Sequence, residues 1–212
     1  MLSTPTRRYD ASGRQASARA RRRAVVDAAR ALFLEHGYGP TSIAAIAQAA
    51  GVSAPTVYAT FGSKAGILNA VVGVAVAGDH EEGLARERPD AVALRGVRGL
   101  DEWIEAAAHF TRTIHERSAA LLHLVTGVAG TDPAVAELET QIIAGQRTDI
   151  LLYVTQGPLA GARPDLDDQQ KADILQVLTG VDGWRQLVWI AGWTPDEYEA
   201  WLADTVGRVF AP

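Results

Sequence analysis

Residues 41–64 read TSIAAIAQAAGVSAPTVYATFGSK, and their spacing decides the fold. Ile43, Ile46, Ala47 and Ala50 share one face of a short helix that Thr41 can cap. Ala47 is small enough for a second helix to cross closely. Gly51 permits the left-handed turn that follows, and Val52 fills the corner. Ser53 caps the next helix, Pro55 is tolerated in its first turn, and Val57 and Phe61 face inward. This is the sequence form of a helix-turn-helix, whose second helix offers its N-terminal residues to a DNA major groove. A generic two-helix corner in some other helical protein is the competing reading. Lys64 follows Ser63, the cap of a further helix, and a cation in that first turn opposes the helix dipole. A phosphate held by the free amides there would offset the cost. An uncompensated surface lysine is the alternative.

Outward from this segment the chain stays helical. Val25, Ala29, Leu32 and Phe33 recur at helical spacing from about Arg19, and that helix stops at Gly37. Residues 1–17 are rich in Ser, Thr, Ala, Gly and Arg with almost nothing to bury, which predicts a disordered basic arm. Beyond residue 64 an apolar helix is expected to about Ala77, then a polar stretch from Asp79 to Gly99 with at most a short helix. Further helices are expected near 101–116, 118–128, 133–156, 167–191 and 195–210. Asp132-Pro133 and the capping box Thr194-Pro195-Asp196-Glu197 mark two of the starts. Alternating β-branched runs are missing, so the fold class is all-α. The expected organisation is an arm over 1–17, a helix-turn-helix domain over 18–64 and a helical body over 65–212.

Charge divides the chain in the same place. Net charge is −5, yet residues 1–64 hold nine Lys and Arg against three acids, and the remainder holds eleven against twenty-two. A basic head on an acidic body points the head toward a polyanion. The chain has 212 residues, 48% of them hydrophobic, enough to bury a core without staples. It has no cysteine, which excludes disulfides, thiolate metal sites and thiol redox chemistry. No apolar run reaches the roughly 18 residues of a membrane span and no signal peptide opens the chain, so the expected location is the cytoplasm, with no membrane partner.

The stretch from about Arg22 to Val72 resembles the DNA-binding domain of the tetracycline-repressor-like (TetR) family of bacterial transcription regulators. The matching elements are Ala28 to Phe33, His36-Gly37-Tyr38, Thr41-Ser42-Ile43, Ile46-Ala47, Ala50 to Ser53, Thr56 to Phe61, and Ser63-Lys64 with Leu68 beyond. The resemblance implies an N-terminal three-helix DNA-binding domain and a C-terminal bundle that binds a small effector and dimerises through its last two long helices. It implies that Thr41 and Ser42 touch phosphate and sometimes a base, and that Ala54, Pro55 and Thr56 face the groove. Tyr58 and Lys64 match phosphate contacts, and Thr60 a backbone or base contact; Ser53 completes the candidate set as the cap of that helix. Ala54 departs from the pattern, because a longer polar side chain would read a base there. Specificity then leans on Thr56, Ser42, DNA shape and the arginine-rich arm entering a minor groove.

In the body, Trp103, His109, Phe110, Thr113, His123, Tyr153 and Trp184 are the candidate effector-binding residues, polar groups among apolar ones as a small-molecule pocket requires. Surface histidines and packing aromatics are the plainer reading of each. The aromatic residues and the acidic charge favour an apolar or aromatic effector, with Arg112 available to anchor a single carboxylate. Tyr198, Trp201, Leu202, Val206, Val209 and Phe210 line one side of the last helix and, with residues 174–190, suit a four-helix homodimer interface. His109, His115 and His123 lack metal-ligand spacing, and no phosphate loop or nucleophile elbow occurs, so no enzyme, metal or cofactor is expected. The reading is a ligand-responsive repressor acting as a homodimer on a palindromic operator in double-stranded DNA. An activator, an effector-independent regulator, and a helical enzyme or binding module with an incidental basic arm remain the alternatives.

Overall fold

The computed structural model describes residues 11–81 and 83–210. Among these, ten α-helices run in order: α1 Ala11–His36, α2 Ile43–Ala49, α3 Ala54–Phe61, α4 Lys64–Ala77, α5 Pro89–Gly96, α6 Leu100–Ala129, α7 Pro133–Gln156, α8 Asp168–Leu178, α9 Val181–Trp184 and α10 Pro195–Phe210. Short 3-10 turns occur at Ala85–Glu87 and Pro158–Gly161, and a π-helical turn at Arg185–Ile190 follows α9 directly. The protein is all-α, with no strand among the described residues. None of these helices alone is long and apolar enough to cross a membrane. The residues group into two compact units that meet between Val71 and Val72, inside α4.

The first unit is built on the apolar stripe of α1. Val25, Val26, Ala29 and Phe33 are buried together with Tyr38, Ile46, Ala47, Val57, Ile67, Leu68 and Val71. Spacings of four between the inward residues of α1 keep one face in the core, while its arginines stay exposed. This helix begins at Ala11 rather than near Arg19, so the expected disordered arm is helical over 11–17; residues 1–10 lie outside the described residues. The segment lacks apolar residues to show a period, but Ala, Arg and Gln are strong helix formers and extend a helix already nucleated by its buried half.

Two glycines set the geometry of this unit. Gly51 has φ +67°, the left-handed conformation that the α2–α3 turn needs, and Val52 N donates to Ala47 O at 3.0 Å to close it. Gly66 lies against the backbone of the preceding helix end, where a Cβ would overlap the Phe61 carbonyl. That close approach seats α4 on the end of α3.

The second unit is a helical bundle in which α6 packs on α7 and α10, and α7 on α8. Trp103, Ile104, Val154, Leu175, Trp184, Tyr198, Leu202 and Phe210 sit in its core. The two helices expected near 101–116 and 118–128 form the single 30-residue α6. Ser118 is fully buried and its hydroxyl donates to Ile114 O at 2.7 Å, staying within the helix instead of starting a new one. The helix expected over 167–191 is instead interrupted at Gly180, which is extended at φ −70°, ψ 154°. Both capping signals appear: Asp132 accepts from Ala134 N at 2.9 Å, and Thr194 and Glu197 bond reciprocally at 2.7 and 3.2 Å. Arg117 of α6 donates to Val76 O at 2.6 Å and so caps the C-terminus of α4 within this unit.

Candidate nucleic-acid interface

The helix-turn-helix is held by caps. Ser42, not Thr41, caps α2: its hydroxyl accepts from Ala45 N at 3.1 Å. Thr41 is one residue too early for that role and is buried. Its hydroxyl serves the carbonyls of Gly37 at 2.7 Å and Leu32 at 3.2 Å, fixing the loop that enters α2. Its side chain therefore does not face solvent. At the start of α3, Ser53 accepts from Thr56 N at 3.3 Å, and the two hydroxyls lie 2.8 Å apart. Thr60 turns its hydroxyl back to Thr56 O at 2.8 Å.

The solvent side of this motif comprises Ser42 on α2 and Ser53, Pro55, Tyr58 and Thr60 along α3, with Ala54 and Thr56 half-buried between them. Tyr58 is 54% exposed, a large aromatic that packing alone does not require at the surface. The face is neutral, made of hydroxyls, a phenol and methyl groups. Such a surface can donate to phosphate oxygens and touch thymine methyls, but it offers few groups that read base edges.

Lys64 does something else. Its ammonium donates to the carbonyls of Tyr38 at 2.8 Å, Thr41 at 3.1 Å and Gly39 at 3.3 Å, and stands over the Tyr38 ring at 4.2 Å. The unfavourable position at the N-terminus of α4 is compensated inside the protein, so no bound phosphate is needed to explain it. The Ser63 cap beside it is real: Gly66 N donates to its hydroxyl at 3.0 Å.

Residues 25–71 match the family model of bacterial regulatory proteins, tetR family. Over this stretch the chain is similar to the DNA-binding domain of the TetR family. It is 47% identical over 51 residues to the HTH-type transcriptional repressor ComR of Escherichia coli, a match covering 24% of each chain. It is 27% identical over 136 residues to the repressor BdcR of the same organism, covering 62% of this chain and 64% of that one. The chain thus spans less than two thirds of the length of these curated relatives. A proposed TetR-family transcriptional regulator from Rhodococcus sp. shares the fold, with a TM-score of 0.68 at 17% identity over 91% of this chain and 99% of that one.

In the second unit the expected effector residues do not converge. Trp103 is buried with its ring 5.9 Å from the half-buried Tyr153, and burial pushes the Tyr153 phenol pKa up. Trp184 is buried elsewhere in the core, stacked on His115 at 5.7 Å. Phe110 and Thr113 are half-buried on α6. His109 and His123 lie at the surface, the first 3.2 Å from Glu199 and the second against the edge of Trp189. Arg112, expected to be able to anchor a carboxylate, is engaged by Glu116, Asp196 and Glu199 at 3.1–3.3 Å. Arg112, Asp196 and Glu199 border an open groove of about 400 Å³ between α6 and α10, lined also by Glu105, Ala200 and Ala203, which none of the expected effector residues lines.

The pair that sequence reasoning passed over is His115 and Tyr198. Both are buried, their rings 6.1 Å apart, and Trp184 lies 5.0 Å from Tyr198. Nε2 of His115 donates to Thr179 O at 3.0 Å, the carbonyl beside the break that precedes α9. Nδ1 of His115 and the Tyr198 hydroxyl are buried without a hydrogen-bond partner in the structure. Burial lowers the His115 pKa to about 4 and raises that of Tyr198, so both are neutral near pH 7. No local signal marks this pair, because the residues are far apart in sequence and meet only when α6 and α10 pack.

Proposed function

We propose that this chain is a TetR-family regulator that binds double-stranded DNA through α2 and α3 and represses transcription as a homodimer on a two-fold operator, released by a small effector. The observation that carries the reading is the exposed face of α3. Ser53, Pro55, Tyr58 and Thr60 stand at the surface of a tightly capped helix-turn-helix that nothing in the core requires to be so presented. Ser42, at the start of α2, supplies a second contact to the sugar-phosphate backbone. Two copies are needed because one recognition helix with so few base-reading groups carries little specificity alone. An apolar or aromatic effector suits the aromatic core of the body and its excess of carboxylates.

The deciding experiment measures binding of the full chain to duplexes from its own upstream region and to random duplex of equal length, by fluorescence anisotropy at two salt concentrations. Preference for one upstream fragment, lost on scrambling a two-fold sequence within it, supports the reading. Equal affinity for all duplexes at both salts overturns it. A reporter placed behind that fragment separates a repressor from an activator by the sign of its response.

A further inference from the structure

Between Ser42 and Ser63 the helix-turn-helix carries a single amide side chain, Gln48, and no charged side chain at all. Gln48 lies on α2, and the first helix of such a motif crosses the DNA backbone. The second helix meets base edges with its N-terminal residues, and here α3 reads APTVYATF. It therefore lacks every side chain that recognises a base with two hydrogen bonds or with a charge. There is no Arg or Lys for guanine, no Asn or Gln for adenine, and no Asp or Glu for cytosine.

The threonine and serine hydroxyls are largely committed within the protein. Ser53 and Thr56 share one hydrogen bond at 2.8 Å, which uses the proton of one of the two, and Ser53 Oγ also accepts from Thr56 N at 3.3 Å. Thr60 donates to Thr56 O at 2.8 Å. What the first turn of α3 has left to offer is carbon. The Ala54 and Thr56 methyls are half-buried and the Pro55 ring is exposed, with the exposed Ala59 four residues on continuing the same side. An apolar turn is not indifferent to sequence. On the major-groove edge of a base pair the thymine C5-methyl is the one apolar group, and the other groups are donors or acceptors. Methyl against methyl removes apolar surface from water. The same turn over a G·C pair covers guanine N7 and O6 and cytosine N4 without giving them a partner, which costs free energy.

We propose that the first turn of α3, formed by Ala54, Pro55 and Thr56, selects its half-site by the C5-methyl groups of thymines rather than by hydrogen bonds to bases. The proposal rests on the DNA-binding reading above and names the chemistry that the recognition helix selects. One helical turn is about 5.4 Å high and bases on one strand are about 3.4 Å apart, so the turn covers one or two thymines in each half-site. 5-Methylcytosine carries its methyl on the same ring carbon and presents the same apolar group to the turn. Tyr58, further along the helix, keeps the backbone contact assigned to it.

The test enriches a pool of random duplexes by repeated capture on the full chain and resynthesises the recovered sequence with deoxyuridine at single thymines. Deoxyuridine pairs as thymine does and lacks only the methyl. At the thymines that α3 reads, it should weaken binding about fourfold per methyl, the worth of one buried carbon. Elsewhere in the duplex it should change nothing. Exchanging a read A·T pair for G·C should weaken binding further, and a 5-methyl group on that cytosine should recover about fourfold of the loss. In the variant carrying Ala54→Gly and Thr56→Ser, each of which deletes one protein methyl, the deoxyuridine penalty should shrink, with circular dichroism showing equal helix content. A penalty of full size in that variant would place the methyl contact outside the first turn and overturn the assignment. Equal affinity for thymine and deoxyuridine at every position of a preferred duplex would refute the methyl reading while leaving sequence-specific binding intact. A pool that yields no preferred sequence would instead overturn the DNA-binding reading itself, and the methyl reading with it.

Discussion

Lys64 and Tyr38 form a clamp: the lysine ammonium sits 4.2 Å from the centre of the tyrosine ring and donates to that residue's own carbonyl at 2.8 Å. With Thr41 O and Gly39 O also accepting, one side chain at the start of α4 ties down the turn that leads into α2. Tyr38 is buried and packs on Phe33 at 5.6 Å, so the clamp connects that turn to the core of the first unit. A cation at the N-terminus of a helix is locally unfavourable; three carbonyls and a ring face reverse the balance.

Lys64→Met is expected to destabilise the protein by about 1–3 kcal/mol, the cost of leaving partly buried acceptors unmatched. The salt dependence of DNA binding should stay close to that of the wild type. Urea denaturation and anisotropy titrations at two salts check both. A slope lowered by one with full stability would return Lys64 to the phosphate backbone.

Tyr58 should behave in the opposite way. It is 54% exposed, so Tyr58→Phe is expected to leave stability unchanged while removing the hydroxyl proposed to meet DNA. Affinity for preferred and random duplexes is expected to fall alike by about 0.5–1.5 kcal/mol. Unaltered affinity on both would remove Tyr58 from the interface.

The contrast between these two residues shows what is legible in the sequence. The helix-turn-helix can be read because its signals are local. Ser53, Gly51 and Pro55 act within four residues of one another, and placing the α2 cap one position early, at Thr41 instead of Ser42, leaves the motif intact. The role of Lys64 is hidden because its acceptors lie 23 to 26 residues earlier. The body is less readable for the same reason. Nothing near Thr179 foretells that His115, 64 residues away, will hold its carbonyl at a helix break. The π turn at Arg185–Ile190 likewise has no compositional mark. Residues 11–17 read as part of a disordered arm because a helix without apolar residues shows no period.

His115 makes a prediction about acid. In the folded protein its pKa is lowered to about 4 by burial, below the ordinary 6.5. The unfolded chain therefore binds the proton more readily, and stability falls as pH drops from about 6.5 toward 4. The side chains facing it, Trp184 and Tyr198, carry no charge in that range and cannot hold the imidazolium. The full effect is on the order of 3 kcal/mol at about 1.4 kcal/mol per pKa unit. Subtracting the urea midpoints of His115→Gln from those of the wild type, at pH 7 and pH 5, isolates this contribution. A difference that does not change with pH would show that His115 is already accessible to protons.

The homodimer proposed above cannot use the inward side of α10, which leaves the 174–190 part of the expected interface. Tyr198, Leu202, Val206 and Phe210 of α10 are each under 5% exposed, packed into the core of their own chain and so not available to a second copy. Of the large apolar side chains exposed in the second unit, three lie within 174–190, where Val177 is 78% exposed, Ile190 59% and Trp189 43%; Leu84, Val92 and Ile143 are exposed elsewhere. Large apolar groups held at that level of exposure along one segment suit a two-fold contact, where each residue counts twice. Burying an isoleucine-sized side chain contributes about 1.5–3 kcal/mol. Trp189→Glu with Ile190→Glu should therefore weaken self-association by several orders of magnitude while leaving helix content and thermal stability of the monomer nearly intact, since neither residue is in the core. Sedimentation velocity at micromolar concentration reads the outcome directly. Halving of the sedimenting mass, accompanied by loss of preference for a two-fold DNA site, is the expected result. A variant that still sediments as a dimer would exclude this segment as the interface, and a wild-type chain that is already monomeric at that concentration would remove the two-fold reading altogether.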